Sequence, residues 1–401
     1  MMGPSEAMLQ DIRVLDLTEE RGLYAGKLMA SLGADVIKVE PPGGSRARLK
    51  PPFKDDIRDR EGSLYFISLN SGKRSITLNL SSDTGRSLFS KLVERADVLL
   101  EDFDPPERES LGLDYGVLKE LNPRLVVGSI SAFGKTGPYK DYKAPDIVSY
   151  AMGGLMYVSG PPSRPPVVAP GEQAYHSTSL MTVFGIMTAL YARLNTGEGQ
   201  LVESSTHETM ATINEELIMR YSLTREIKQR SGSQHTSAPA RIYPCKDGHV
   251  HIVVLRPHHW RSLLDVLGKP ELLMDRAWYD PRFRRLNVDL IDPLVIEFTL
   301  GYSKMELCRL FQEKGIPCTP VNTPADFVND PHVRERNFVV EIDHPSIGRH
   351  RDLAPPFESS EMAKRQNRPA PLLGQSNVEI YCNELGHEMA DLAGLKEQGI
   401  I

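Results

Sequence analysis

Hydrophobic residues follow two alternating periods in the first third of the chain. Short apolar runs at 12–17, 36–40 and 75–80 predict strands, and apolar residues at helical spacing over 22–32 and 83–95 predict helices. Two more apolar runs, at 97–103 and 125–130, predict further strands. Strands that alternate with helices are typical of a mainly parallel sheet covered on both faces. The pattern therefore predicts an α/β domain.

The later segments predict a second, smaller unit. An apolar helix follows His176 and ends at the turn 195–200, and the next helix is predicted over 203–222. A hairpin turned at Asp247-Gly248 and an extended edge segment over 316–321 indicate a small α+β domain. We expect four segments: 1–205 as the N-terminal part of a large domain, 206–237 as a linker, 238–328 as the small domain, and 329–401 as a return to the large domain.

Ligands of parallel sheets bind outside the carboxyl ends of the strands. The segments that begin at Glu40, Glu101 and Ser131 each follow a predicted strand. These segments are therefore predicted to border one crevice.

Composition excludes several classes of function. The formal net charge is −6, with no cluster of Lys and Arg, so the chain lacks the basic surface that nucleic acids require. No leader-like start and no apolar run of membrane-spanning length are found, and we expect a cytoplasmic protein. The four cysteines form no CxxC pair, which predicts neither a disulfide framework nor a metal site.

The glycines of the first predicted helix do not form a nucleotide fingerprint. Gly22 and Gly26 lack the GxGxxG spacing, and Gly26-Lys27-Leu28 lacks the Ser or Thr of a P-loop. Close packing of the helix on the sheet explains these glycines more simply. Conventional NAD or ATP binding is disfavoured.

Short motifs along the whole chain carry a family resemblance. In order, they are GADVIKVE at 33–40, NSGKRS at 70–75, ADVLLEDF at 96–103, LGL at 111–113, NPRL at 122–125, FGKTGPY at 133–139, TGEGQ at 196–200, DPRF at 280–283, GIP at 315–317 and LLG at 372–374. With these motifs the sequence resembles the class III CoA-transferases, a family that includes carnitine CoA-transferase and α-methylacyl-CoA racemase.

The resemblance implies a fold and a substrate. The fold would be a large Rossmann-like domain built from both chain ends with a small central domain, and two protomers would interlock like links. A coenzyme A thioester would be a substrate, with no tightly bound cofactor. The positions that correspond to the family's CoA site are Arg48, Leu69, Asn70, Lys73, Arg74, Asp102, Phe103 and Lys143.

Two of the corresponding positions depart from the family pattern. Asp102 stands where a neutral amide is usual, and Pro106 replaces a glycine. An added negative charge and a stiffened turn both disfavour an anionic cofactor.

The family's catalytic position is also altered. Its transferases use an aspartate as the nucleophile toward the acyl-CoA thioester, and the residue at that position is Tyr175, or Ala174 if the helix begins one residue differently. Pro145 replaces the histidine that the family's racemases need, so racemisation is not expected. The nearby Glu172 precedes the catalytic position by three residues, and a histidine such as His176 cannot form the acyl anhydride. We expect no catalytic residue in this chain.

The leading hypothesis is the non-nucleophilic subunit of a heteromeric CoA-transferase, whose paralogous partner carries the aspartate. The resemblance points to the succinyl-CoA:benzylsuccinate CoA-transferases of anaerobic toluene degradation, in which one subunit type lacks it. Two alternatives are a self-sufficient transferase that uses Glu172, and a CoA-binding or scaffold protein without turnover.

Overall fold

A computed structural model describes residues 7–233, 238–355, 357–360 and 368–401. The strands in chain order are β1 Arg13–Asp16, β2 Asp35–Glu40, β3 Arg74–Thr77, β4 Val98–Glu101, β5 Val126–Ser131, β6 Leu201–Ser205, β7 Ala240–Cys245, β8 Gly248–Val253, β9 Cys318–Pro320, β10 Val339–His344 and β11 Gly348–Leu353.

Seventeen α-helices lie between and after these strands in the described residues. They are α1 Leu23–Ser31, α2 Leu64–Asn70, α3 Asp83–Val93, α4 Pro105–Ser110, α5 Tyr115–Leu121, α6 Asp146–Met152, α7 Leu155–Val158, α8 Gln173–Thr196, α9 Thr206–Ile213, α10 Glu215–Thr224, α11 Pro257–Val266, α12 Pro281–Leu286, α13 Val288–Leu300, α14 Lys304–Glu313, α15 Pro324–Asn329, α16 Pro331–Glu335 and α17 Met389–Glu397. A π-helical turn covers Val378–Glu384.

The main sheet has six parallel strands in the order β3-β2-β1-β4-β5-β6. This is the order of a Rossmann-type sheet, and it confirms the predicted α/β architecture. The order reverses direction between β1 and β4, so the crevice that such folds use for ligands opens beyond the carboxyl ends of these two strands.

Side chains that alternate along the strands form two apolar layers. On one face, Leu15, Ile37 and Leu99 pack with α3, α5 and the C-terminal segment. On the other face, Val14, Val36 and Val98 pack with α1 and α8. The C-terminal segment thus contributes Ile380, Tyr381 and Leu392 to the core, but no strand of the sheet in its described residues.

Two predicted boundaries were wrong. The segment 203–205 belongs to strand β6 and not to the following helix, because Leu201–Ser205 pairs with β5 through register Val127↔Leu201 to Ser131↔Ser205. The helix that follows is divided into α9 and α10 at Asn214. Helix α2 was not predicted from the sequence, although Ser63 caps it by accepting from the Phe66 amide.

The chain divides into two compact units. The first comprises 1–156, 168–226 and 334–401 and contains the six-stranded sheet. The second comprises 157–167 and 227–333 and contains the three-stranded antiparallel sheet β7-β8-β9. In the second unit β9 lies at the sheet edge, as its prolines predicted.

A buried arginine links the second unit's core to its backbone. Arg284 is 1% exposed; its guanidinium donates to the Ala238 and Trp278 carbonyls, both at 2.7 Å, and lies 4.8 Å from the Trp260 ring centroid. Replacement by methionine would leave both carbonyls without their donor, so Arg284→Met should lower the free energy of unfolding by about 2–4 kcal/mol.

Tryptophan fluorescence during urea unfolding measures this effect selectively, because both tryptophans, Trp260 and Trp278, lie in the second unit. The control is Arg285→Met, at the exposed neighbouring position. Equal midpoints for the two variants would contradict the structural role of Arg284.

Helix α8 is buried on one side only in the single chain. Val183, Ile186 and Ala189 pack against the sheet, whereas Phe184, Tyr191 and Leu194 are 72%, 71% and 77% exposed. Its exposed side is therefore apolar. No helix in the part of the chain that the structure describes combines the length and apolarity that a membrane span needs.

Candidate functional site

The first turn of α8 is the centre of the candidate site. Helix α8 begins at Gln173, one residue after Glu172, and the Tyr175 amide donates to Asp146 Oδ1 at 2.9 Å. Asp146 thus satisfies an amide that the helix leaves unpaired at its start. Partial burial raises the pKa of this carboxyl.

Tyr175 occupies the inner side of that turn. It is 6% exposed, and the guanidinium of Arg21 is the cation that acts on its phenol. Burial is the largest influence on this phenol and raises its pKa to about 12, against the opposing effect of Arg21. The side chain is therefore a neutral phenol at pH 7, and it cannot serve as a carboxylate nucleophile.

Glu172 is held by two partners. Its Oε1 accepts from Lys50 Nζ, and its Oε2 accepts from the Tyr65 hydroxyl at 2.5 Å. Burial and the neighbouring Glu172 raise the pKa of Tyr65, so the phenol stays protonated and able to donate. Lys50 also donates to Glu20 at 2.7 Å and lies 4.3 Å from the Tyr65 ring centroid.

A pocket of about 380 Å³ opens beside these groups, and all of its lining residues belong to the first unit. Glu20, Lys50, Asp146, Glu172 and Tyr175 contribute to its lining. Its remaining wall is largely apolar and is formed by Pro145, Ile147, Val168, Ala169 and Pro170, together with Gly171. Its volume suits a small acyl group.

His176 is not one of the residues that line this pocket. Its ring meets the Tyr24 ring edge-on, with centroids 4.8 Å apart. Burial lowers its pKa, which keeps the imidazole neutral at pH 7. Nothing in this arrangement presents His176 as a nucleophile.

Asp102 points into the loop between β1 and α1. Its oxygens accept from the amides of Glu19, Arg21 and Gly22 at 2.8, 3.0 and 3.2 Å. Burial nevertheless raises its pKa to about 7, because desolvation outweighs these donors. The carboxylate therefore organises the start of α1, and it does not project into the crevice.

The raised pKa of Asp102 predicts a pH-dependent stability difference. The folded state holds the proton more tightly than the unfolded state, whose pKa is near 3.8, so stability falls as the pH rises from about 4 to about 7. In Asp102→Asn the side-chain amide keeps one oxygen that can accept a hydrogen bond, but it does not bind or release a proton in this pH range. We expect the variant to gain about 2 kcal/mol or more relative to the wild type between pH 4 and pH 8.

The measurement is urea unfolding at each pH. Asp114→Asn is the control, because Asp114 is an exposed carboxyl that also accepts from a backbone amide, that of Gly116 at the start of α5. A constant difference between wild type and Asp102→Asn across this range would contradict the titration.

Most of the cationic side chains that were predicted to contact CoA are bonded to other groups of this chain. Arg48 is 1% exposed and donates to Glu40 at 2.7 Å, to Glu61 at 2.8 Å and to the Pro371 carbonyl at 3.0 Å. Arg74 is bound by Asp35 and Glu384. The structure thus places these guanidinium groups in ion pairs within the first unit.

Lys73 is buried completely beneath α1. Its ammonium donates to Asp16 at 2.7 Å, to Asn70 at 2.8 Å and to the Leu23 carbonyl at 2.9 Å. Burial lowers its pKa to about 8. Leu69 and Asn70 are buried as well, so this predicted segment contributes packing and polar contacts inside the domain.

Lys143 and Phe103 lie nearer the surface. Lys143 is 77% exposed, and its ammonium is 2.5 Å from Asp104, which also accepts from Arg21 at 3.0 Å. Phe103 is half-buried after β4. A chain of contacts from Lys143 through Asp104 and Arg21 thus reaches Tyr175.

The sequence did not single out Glu20, Arg21, Lys50 or Tyr65. Glu20 and Arg21 follow β1, and the carboxyl end of this strand was a usable signal because it borders the crevice. Lys50 and Tyr65 belong to segments that meet only through the fold. In the described part of the chain, no three His, Cys, Asp or Glu residues are arranged to hold a metal ion.

Comparison with known proteins agrees with the fold and the motifs. The profile of CoA-transferase family III matches residues 9–377. Succinyl-CoA:mesaconate CoA-transferase of Haloarcula marismortui is 35% identical over 380 residues, which are 93% of this chain and 95% of that protein. Formyl-CoA:oxalate CoA-transferase of Streptomyces coelicolor is 33% identical over 414 residues, which cover 98% and 99%.

A solved structure shares the fold. The crystal structure of a CAIB/BAIF family protein from Brucella suis superposes with a TM-score of 0.85 at 31% identity, over 94% of this chain and 99% of that one. This chain belongs to CoA-transferase family III. The activity of the family is transfer of CoA from an acyl-CoA to a carboxylic acid, with CoA thioesters as substrates.

Proposed function

We propose that this chain is the subunit of a heteromeric class III CoA-transferase that does not carry the acyl group, and that a paralogous chain supplies the aspartate. The observation that carries the proposal is Tyr175, a buried neutral phenol in the first turn of α8. That turn contains no acidic residue, and α8 is described over its full length.

Glu172 does not replace the missing aspartate in this proposal. Each of its oxygens already accepts a hydrogen bond, from Lys50 or from Tyr65. A carboxylate held in this way must lose a charge-assisted bond before it can attack a thioester, which raises the barrier. Its contacts instead fix the loop that leads into α8.

The chemistry then occurs on the partner. Its aspartate attacks the acyl-CoA carbonyl, and the CoA thiolate leaves as the acyl-aspartyl anhydride forms. The thiolate attacks the aspartyl carbonyl of the anhydride, which releases the donor acid and leaves CoA as an enzyme thioester. The acceptor carboxylate attacks this thioester and expels the CoA thiolate, which leaves a new anhydride between the acceptor and the aspartate. The thiolate then attacks the acceptor's carbonyl in this anhydride, so that the acceptor leaves as its CoA thioester and the aspartate is free again.

The exposed apolar side of α8 supports association with another chain. Phe184, Tyr191 and Leu194 together with Met219 and Leu223 of α10 leave large apolar side chains in water. Exposed apolar surfaces of this kind are typical of protein interfaces. We propose that the partner covers this side of α8, as expected for interlocked protomers.

Contacts to CoA are proposed for the accessible members of the predicted set. Lys143 is 77% exposed and Phe103 is half-buried after β4, whereas Arg48 and Lys73 stabilise the domain through buried ion pairs. Arg74 is likewise bonded to carboxylates. This chain therefore offers the phosphates of CoA fewer cationic contacts than the sequence predicted.

The substrate class follows from the relatives. The proteins from Haloarcula marismortui and Streptomyces coelicolor are named for mesaconate and oxalate, which are both dicarboxylic acids. We propose a dicarboxylic acid as acceptor and succinyl-CoA as donor for the complex. Benzylsuccinate also belongs to this chemical class and remains the acceptor predicted from the sequence.

A second candidate is a self-sufficient transferase in which Glu172 carries the acyl group. The observation in its favour is that the Glu172 carboxylate lines the 380 Å³ pocket next to Tyr175. In this alternative Lys50 and Tyr65 would orient the nucleophile. A third candidate, a scaffold without turnover, requires that the chain support no transfer with any paralogue.

The test compares the purified chain, the purified aspartate-bearing paralogue and their mixture in transfer from succinyl-CoA to benzylsuccinate or mesaconate. The proposal predicts transfer by the complex and none by this chain alone. Transfer by the single chain that is abolished by Glu172→Gln, and kept by Glu120→Gln on the exposed side of α5, would establish the second candidate instead. No effect of this chain on the paralogue's activity would establish the scaffold.

A further inference from the structure

The pocket at the start of α8 has an unusual balance of charge for an enzyme of dicarboxylic acids. Its lining includes the carboxylates of Glu20, Asp146 and Glu172. Lys50 is the one cation among the described residues that line it. The ionised groups therefore add up to an excess of two negative charges.

Lys50 is not free to receive another carboxylate. Its ammonium is bonded to both Glu20 and Glu172 and lies over the Tyr65 ring. A substrate carboxylate would have to displace one of these two glutamates from the lysine. Arg21, a cation that acts on Tyr175, is bonded to Asp104 and to the Asp102 carbonyl.

The rest of the wall favours an uncharged group. Pro145, Ile147, Val168, Ala169 and Pro170 present mainly hydrocarbon surface, and Ile147 and Val168 are 51% and 36% exposed. An apolar chain that covers these residues would remove hydrocarbon from water. A carboxylate in the same place would lose its hydration and meet an excess of negative charge, with the lining's one cation, Lys50, already paired.

We propose that the pocket of this chain selects a CoA thioester with an uncharged acyl end and excludes one with a distal carboxylate, and that Glu20 and Asp146 determine this selection. The inference rests on the proposed function only in taking a CoA thioester as the ligand. It also gives a reason for the division of roles, because a dicarboxylic acid is then accommodated by the partner's pocket and not by this one.

The test is calorimetric binding of butyryl-CoA and succinyl-CoA to the full-length chain at low ionic strength. The two thioesters have the same carbon chain and differ by a terminal methyl or carboxylate, so the ratio of their affinities isolates the distal charge. We expect butyryl-CoA to bind at least about tenfold more tightly, and the ratio to shrink as salt is added.

Charge-neutral variants identify the residues responsible. The double variant Glu20→Gln with Asp146→Asn should bring the two affinities within about threefold of each other, because it removes the excess negative charge. Glu120→Gln removes a carboxylate outside the pocket and should keep the wild-type ratio. The salt dependence in the wild-type chain tests the same proposal without any variant.

Three results would overturn the proposal. One is succinyl-CoA binding as tightly as butyryl-CoA, and another is a ratio that salt and the double variant both leave unchanged. The third is absence of binding by either thioester, which would show that this pocket takes no acyl group. None of these affects the partner-dependent transfer assay, so the proposed function is judged separately.

Discussion

Gly26→Ala is expected to lower the free energy of unfolding of the first unit by about 2–4 kcal/mol. A Cβ at this position would lie 2.3 Å from Asp16 Oδ2 and 2.9 Å from Lys73 Nζ. Both groups are completely buried and joined by a 2.7 Å ion pair, so neither can move toward water. Loss of such a pair costs roughly 3–5 kcal/mol, and the better helix propensity of alanine returns about 1 kcal/mol.

Urea unfolding followed by far-ultraviolet circular dichroism measures the change. Gly43→Ala is the matched control, because a Cβ at Gly43 meets no atom within 4 Å. If the two variants unfold within about 0.5 kcal/mol of each other, the ion pair beneath α1 does not have the rigidity inferred for it.

Tyr175→Asp is expected to enable acyl transfer by this chain alone, a step that the proposed function assigns to the partner. The substitution places a carboxylate in the first turn of α8, where the helix amides favour negative charge, and beside Arg21. The smaller side chain also enlarges the neighbouring pocket. We expect transfer by the single chain to rise at least 100-fold above that of Tyr175→Asn, which has the same size but no nucleophile.

The assay follows exchange of labelled CoA into an acyl-CoA, together with hydroxylamine trapping of the activated carboxyl. Exchange can be detected even if this chain makes few contacts with the phosphates of CoA, because the assay needs only the new carboxylate to react with the thioester. Equal rates for the Asp and Asn variants would show that position 175 does not correspond to the catalytic position.

The sheet could be predicted from the sequence because its strands are buried on both faces. Continuous apolar runs such as Val98–Glu101 and the helices between them specify a parallel α/β arrangement without tertiary information. Strand β6 was not predicted, because Leu201–Ser205 is polar at three of its five positions and only partly buried. Its pairing with β5 decides its conformation.

The site was only partly predictable, because many of its contacts join residues that are far apart in the sequence. The spacing from Gly185 identifies Tyr175 at the start of the helix, because this relation is local. The partners of Lys73 and Arg74 are not local: Asp16 and Asp35 lie 57 and 39 residues away in the chain. Side chains expected at phosphates therefore proved to be ion-paired within the first unit.

The effect expected of Asp102 depends on where its side chain points in the fold. The sequence indicated a carboxylate that repels an anionic cofactor, and the expectation assumed that the side chain faces the crevice. The structure directs it to the amides of Glu19, Arg21 and Gly22. Three backbone donors from another segment cannot be inferred from residue identity, so the pKa shift and its effect on stability became visible only in the fold.

The most direct test of the central claim is the location of the acyl-carrying carboxyl in the active complex. The complex is incubated with succinyl-CoA, trapped with hydroxylamine, digested and sequenced by mass spectrometry. We expect a hydroxamate on an aspartate of the partner and none on this chain. A hydroxamate on Glu172, lost in Glu172→Gln while transfer is also lost, would contradict it.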